Sequence, residues 1–345
     1  MSKILKIEIA VLVVLLVVAV FVRFDTMAPP PVDDPSLNTS ITQTDPPTDP
    51  PTDPPTDPPT DPPTEPPTEP VTITFGEDFK VEANTFFVYN STDDVWMGAS
   101  GDIDKHIYPA SITKLFTAYV AMSVLEPDRV ITMGSEVNMV AADSSLAYLK
   151  PGMKLTTEQL LACMLLPSGN DAAYAMAVAA AREYYDAPDM SAFTALKSFV
   201  TLMNERAAEE GLTGSNFVKP DGYHDSKHYT SPHDLVIIAR LALSNELIAK
   251  TVSTSTMRVT YVSGESKTLH NTNLLIDPQS AFYCKNAIGL KTGNTSAAGP
   301  CLLSAFEVEG KQIIIGAMAC GWLDARFTDT LKLYNLVVDA FATVE

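Results

Sequence analysis

Pro109-Ala110-Ser111-Ile112-Thr113-Lys114 is followed at once by a nearly all-apolar run, Leu115 to Leu125. An apolar run of this kind predicts a helix buried on all sides. The serine stands at the mouth of that helix, and the lysine three positions on shares its face, so a hydroxyl lies beside an amine that can act as its base. Ser-x-x-Lys alone also fits a helix N-cap serine with an exposed lysine, so the pair gains meaning from its company.

On either side of this helix the chain changes character. Upstream, Thr85-Phe86-Phe87-Val88-Tyr89-Asn90 and Val95-Trp96-Met97 read as short strands around an Asp93-Asp94 turn. Downstream the signals are helical. Thr156-x-x-Gln159 is a capping box opening Leu160 to Leu166, an alanine-rich helix follows from Asp171, and Ser191 caps another that stops at Gly211. Ser231-Pro232 starts one more, expected to continue to about Lys250. Near the C-terminus, Cys301 to Val308 and Gln312 to Ala319 form a hairpin across Glu309-Gly310, and a last helix runs from about Ala325 to Ala340. Strands at both ends with helices between them predict an α/β (α+β) fold. Its antiparallel sheet is built from both ends of the domain and flanked by helices, with a helical lobe beside it and a cleft between the lobes.

Two short motifs sharpen the reading. Leu165-Leu166-Pro167-Ser168-Gly169-Asn170-Asp171 puts a hydroxyl and an amide in a tight turn between two helices. Gly289-Leu290-Lys291-Thr292-Gly293-Asn294-Thr295 reads as an edge strand whose glycine leaves room for a substrate backbone alongside. Each alone is ordinary turn or strand chemistry. The ordered trio is more specific, because the chain has one Ser-x-x-Lys and one Lys-Thr-Gly, and the set is the signature of penicillin-binding proteins and serine β-lactamases.

With Pro-Ala-Ser-x-Thr-Lys, Leu-Pro-Ser-Gly-Asn-Asp-Ala and Gly-Leu-Lys-Thr-Gly in this order, the chain resembles the low-molecular-weight penicillin-binding proteins, the D-alanyl-D-alanine carboxypeptidases that include penicillin-binding protein 5. The likeness continues through His228-Tyr229-Thr230-Ser231-Pro232-His233-Asp234-Leu235 and Asn271-Thr272-Asn273 to Arg326-Phe327. It implies a fold of the penicillin-binding protein and serine β-lactamase kind. It also implies a serine-type carboxypeptidase that removes the terminal D-alanine from peptidoglycan stem pentapeptides and is acylated by β-lactams. In that reading Ser111 attacks the carbonyl between the two D-alanines and Lys114 takes its proton. Ser168 relays the proton to the leaving D-alanine, and Asn170 holds the substrate amide. Backbone N–H groups of Ser111 and Asn294 form the oxyanion hole, while Lys291, Thr292 and Arg326, with Gly293 beside them, bind the terminal carboxylate. A neutral Lys114 requires a lowered pKa, for which burial and a second cation, Lys291, are the expected causes. Asp221-Gly222-Tyr223 departs from the family, where a histidine or asparagine often precedes the glycine. A class A β-lactamase would carry Ser-Asp-Asn and Glu-x-x-Leu-Asn motifs, which are absent, and the chain before the apolar segment is too short to make the protein a signalling receptor.

Three segments are expected. Residues 1–27 carry Lys3 and Lys6 before an unbroken apolar run, Ile9 to Val22, and Arg23 after it, which reads as an N-terminal membrane anchor with its lysines on the cytoplasmic side. A cleaved signal peptide is the alternative, disfavoured because Thr26-Met27-Ala28 is a poor cleavage site followed by Pro29. Residues 28–70 contain six copies of Thr-Asp/Glu-Pro-Pro from Thr44 to Pro67. Proline at this density prefers extended polyproline II, and at ~3.1 Å per residue the repeat spans roughly 80 Å. A disordered tail or a ligand for another domain would share this composition. Residues 71–345 form one catalytic domain, placed by these features on the outer face of the bacterial membrane.

The net charge of -19 argues against nucleic acid, and 46% hydrophobic residues suffice for a large core. His224, His228 and His233 show no acid-flanked ligand spacing, so neither a metal nor any other cofactor is expected. Cys163, Cys284, Cys301 and Cys320 sit in apolar contexts and read as buried thiols.

Overall fold

The computed structural model describes residues 70–343. The anchor at 1–27 and nearly all of the proline-rich segment lie outside the described residues.

Five strands form one antiparallel sheet: β1 (Ala83–Asn90), β2 (Val95–Ala99), β7 (Ala287–Thr295), β8 (Gly299–Val308) and β9 (Lys311–Cys320), in the order β2-β1-β9-β8-β7. The C-terminal hairpin is closed by Glu309 and Gly310, both at positive φ (47° and 71°), the backbone that a tight two-residue turn requires. Its strands read as continuous apolar runs because both faces are buried. Alternate residues separate cleanly: Leu302, Phe306, Ile313 and Ile315 join one core, while Leu303, Ala305 and Ile314 join the other.

The first of these cores is closed by the C-terminal helix (Ala325–Ala342) through Phe327, Leu333 and Val337. The second faces the helical lobe, at whose centre lies α1 (Thr113–Met122). Ile112, Leu115 and Phe116 have no exposed surface, and full burial of each such side chain contributes about 1.5–3 kcal/mol. Around α1 are α2 (Thr157–Leu165), α3 (Asn170–Tyr184), α4 (Ala192–Glu209) and α5 (Pro232–Ser244). The capping box at Thr156 and Gln159 is fully formed, and Ser191 and Ser231 cap α4 and α5.

The helix expected to run to Lys250 is two. Asn245 adopts extended backbone, and its side chain caps α6 (Glu246–Val252) by accepting from the Leu247 and Ile248 N–H groups at 3.1 Å. Two small two-stranded antiparallel sheets, β3 (Val130–Thr132) with β4 (Lys154–Thr156) and β5 (Thr256–Thr260) with β6 (Ser266–His270), complete the lobe. All four cysteines are buried and unpaired, and burial pushes the Cys163 thiol up to about 12.

Candidate active site

The serine sits in a 3-10 turn, Ala110–Ile112, that runs directly into α1. Ala110 is held at φ 48°, an uncommon conformation for a residue with a side chain, and two glycines press on it. A Cβ on Gly222 would lie 1.9 Å from the Ala110 carbonyl oxygen, and one on Gly293 would lie 2.8 Å from the Pro109 oxygen and 3.0 Å from Ala110 Cβ. Gly293 therefore makes room for the backbone of the Ser111 turn, a tighter demand than the space for substrate that the sequence suggested.

Lys114, without exposed surface, gathers the site. Its Nζ donates to Ser111 Oγ at 2.7 Å, to Asn170 Oδ1 at 2.7 Å and to the Asp221 carbonyl at 2.9 Å. Burial pulls the Lys114 ammonium down to about 8, against the opposing attraction of Asp221 and Asp171. The repulsion between the Lys114 and Lys291 ammonium groups is mutual and disfavours both charges. Lys291 is itself held well below the lysine range, by burial first and then by repulsion from Lys114 and Arg326.

Asn170 opens α3, and its Nδ2 donates to Ser144 Oγ at 3.0 Å. Ser144 belongs to a loop tied down by the buried Asp171 carboxylate, which accepts from the Ala147 and Leu149 N–H groups, each at 2.8 Å. Ser168 occupies the turn between α2 and α3 at φ 61° and is 6% exposed. Its hydroxyl is not among the hydrogen-bond partners of Ser111 or Lys114.

On the facing edge strand, Lys291 Nζ donates to the Thr292 carbonyl at 3.1 Å and reaches Thr272 Oγ1 at 3.5 Å. The Thr292 and Thr272 hydroxyls are 2.6 Å apart. Arg326, in the first turn of the C-terminal helix, reaches the Gly293 carbonyl with Nη1 at 3.5 Å, and its buried Nε has no partner. Burial holds this guanidinium below its usual range. Lys291, Thr292 and Arg326 thus form a cationic, donor-rich group suited to an anion. Beyond Ser111 lies a cleft of about 200 Å³ walled by residues 143–145, 222–224 and 294–296, with Asn294 exposed along it.

Several participants carry no motif of their own. Thr272 sits in the quoted Asn-Thr-Asn stretch without an assigned role, and the Asp221 acceptor is a backbone carbonyl. His228 supports the helix that follows Ser111 from behind. Its Nδ1 accepts from the Val218 N–H at 3.1 Å, so the ring proton is on Nε2 and is donated to Thr113 Oγ1 at 2.9 Å. Burial lowers its pKa to about 4. No group of three or more His, Cys, Asp or Glu able to hold a metal occurs among the described residues.

This chain is similar to the D-alanyl-D-alanine carboxypeptidase of Streptomyces sp. strain K15, with 35% identity over 65% of this chain and 77% of that protein. It is 31% identical to D-alanyl-D-alanine carboxypeptidase DacF of Bacillus subtilis over 70% of this chain, spanning only 58% of that longer relative. The solved structure of the Streptomyces K15 DD-transpeptidase superposes with a TM-score of 0.68 at 30% identity, covering 76% of this chain and 98% of that one. A family profile described as D-alanyl-D-alanine carboxypeptidase matches residues 76–320, and the chain belongs to that family.

Proposed function

We propose that the protein is a serine-type D-alanyl-D-alanine carboxypeptidase acting on peptidoglycan stem pentapeptides through an acyl-enzyme at Ser111. The observation that carries this reading is the 2.7 Å bond between Ser111 Oγ and a fully buried Lys114 whose pKa is lowered to about 8. Ser111 Oγ attacks the carbonyl carbon of the penultimate D-alanine while its proton passes to neutral Lys114. The oxyanion is met by the Ser111 and Asn294 backbone N–H groups, each typically worth about 3 kcal/mol. The C–N bond then breaks, and the proton taken by Lys114 reaches the departing D-alanine amine by way of the Ser168 hydroxyl. Water hydrolyses the ester and restores Ser111. Lys291, Thr292 and Arg326 hold the terminal carboxylate, which restricts the enzyme to chain ends, and Asn170 positions the substrate amide. A β-lactam is opened by the same attack and remains as an ester on Ser111.

An amine could replace water as the acyl acceptor, a reading favoured by the likeness to a structure named a DD-transpeptidase. Residues 1–27 would anchor the enzyme on the outer face of the cytoplasmic membrane, and the proline-rich segment would carry the catalytic domain toward the wall. No helix among the described residues is long and apolar enough to cross a membrane.

The test offers a peptide ending in D-Ala-D-Ala and a penicillin, with and without an amine acceptor, and follows D-alanine release, transfer product and adduct lifetime separately. Ser111→Ala is expected to abolish release and adduct together, and Lys114→Arg to stay inactive because a guanidinium remains protonated. An adduct mapped to a peptide lacking Ser111 would overturn the mechanism.

A further inference from the structure

The loop that carries Ser144 continues to Lys150 without regular secondary structure. It is locked onto the turn between α2 and α3. The Asn170 N–H donates to the Ser145 carbonyl at 2.8 Å, and a Cβ on Gly169 would lie 2.9 Å from the Ala147 Cβ. In the middle of this fixed loop stands Tyr148. Its side chain is 69% exposed, more than any other large hydrophobic residue among those described.

Tyr148 is also held at φ 60°, a backbone conformation in which a bulky residue is a genuine outlier. The loop keeps it there from both sides. Ala147 and Leu149 are buried, and their N–H groups donate to the buried Asp171 carboxylate, each at 2.8 Å. Lys267 on β6 donates to the Ala147 carbonyl, and its ammonium lies 4.6 Å from the centre of the Tyr148 ring, which fixes the ring's orientation. Packing does not ask for a tyrosine here, and glycine would meet the backbone demand without strain. A bulky side chain that is strained, held rigid and turned to solvent is the pattern of a ligand contact.

A single flat ring, with polar Ser145 and Lys150 exposed in the same loop, is too small for a membrane or protein interface and matches one sugar. One face of a pyranose is a layer of C–H groups with partial positive charge. That layer meets the negative face of an aromatic ring, while the sugar hydroxyls stay in water at the rim. Reach agrees with this pairing. Tyr148 is four residues from Ser144 at the cleft wall, so their Cα atoms are at most about 14 Å apart, and the four stem residues that end in the attacked D-alanine also extend to about 14 Å. We propose that Tyr148 is a stacking platform for a sugar of the glycan strand that carries the stem peptide, so that the enzyme grips the polymer as well as its peptide end. This inference rests on the proposed carboxypeptidase reading and extends it from the peptide to the glycan.

The experiment compares a pentapeptide ending in D-Ala-D-Ala with the same pentapeptide carried on its N-acetylglucosamine and N-acetylmuramic acid disaccharide. The readout is the ratio of their kcat/KM values for D-alanine release, in which losses of folding or of the chemical step cancel because they touch both substrates. The disaccharide form is expected to win by about 2- to 10-fold, the scale of one aromatic contact, with the gain in KM. Tyr148→Ala is expected to remove the advantage, and Tyr148→Phe, which keeps the ring, to preserve it. Tyr148→Gly takes away ring and strain together and is expected to match Tyr148→Ala. Equal kcat/KM for the two substrates in the wild type, or an advantage that survives both Tyr148→Ala and Tyr148→Gly, would overturn the inference and leave the carboxypeptidase reading intact. No release from either substrate would overturn that reading and the inference with it.

Discussion

Replacing Gly293 by alanine tests whether the edge strand fixes the nucleophile by contact. The new methyl would lie 2.8 Å from the Pro109 carbonyl oxygen, 3.0 Å from Ala110 Cβ and 3.3 Å from the Ser111 nitrogen. Relief to ordinary contact requires about 0.5 Å of movement. The atoms in the way are backbone, and the 110 turn cannot retreat, because Gly222 already packs so closely on the Ala110 carbonyl that a Cβ there would lie 1.9 Å away. The strand and the serine must therefore separate. A displacement of about 1 Å can cost about 100-fold in rate, so half of that predicts roughly a tenfold loss, near 1.4 kcal/mol of activation free energy. Overpacking adds about 1–3 kcal/mol of instability. The assay is the second-order rate of acylation by a fluorescent penicillin, paired with thermal unfolding. Gly310→Ala is the control: it forces a side chain into positive φ (71°), a strain that Gly293→Ala does not carry, but nothing lies within 4 Å, so only stability is expected to fall. Wild-type acylation by Gly293→Ala would show that the strand does not position the turn.

Acylation is expected to rise with pH through about 8, because the depressed Lys114 pKa makes the neutral base available there. At pH 7 about one lysine in ten is then neutral, against about three in ten thousand for an ordinary lysine, and a rate independent of pH between 6 and 9 would exclude Lys114 as base. His228, lowered from about 6.5 to about 4, favours folding fully above pH 6.5, and that contribution is lost as pH falls toward 4. Denaturant titrations at pH 7 and 4 are expected to differ by roughly 3 kcal/mol on this account, and His228→Gln to flatten the difference; an unchanged difference would assign it to other groups. Asp171→Ala strands the Ala147 and Leu149 N–H groups and is expected to cost about 3 kcal/mol and to slow acylation by loosening Ser144; a variant as stable as wild type would refute the tether.

The parts of this molecule that were legible in its sequence are those whose physics is local. Helical spacing alone brings Ser111 and Lys114 together, and the alternation of two buried faces explains the unbroken apolar strands of the C-terminal hairpin. The caps at Thr156, Ser191 and Ser231 announced their helices. Asn245 carried the same chemistry but was hidden inside an otherwise helical apolar pattern, so one helix was expected where there are two. The short β3 and β4, three residues each, are too brief for a period to register. Contacts between distant segments were least visible. A backbone acceptor such as the Asp221 carbonyl has no residue signature, and the closeness of Gly293 to Pro109 depends on how the sheet meets the lobe.

The sheet's strand order also governs when the protein can fold. Phe87 in β1 pairs with Gly316 in β9, about 230 residues later in the chain. Until the second of these has been synthesised, β1 and β2 are an isolated hairpin, which is marginal in water. Closing so long a loop costs about 5 kcal/mol of chain entropy, recovered only when the C-terminal hairpin arrives. A nascent chain therefore cannot complete its sheet until the C-terminal hairpin has been made.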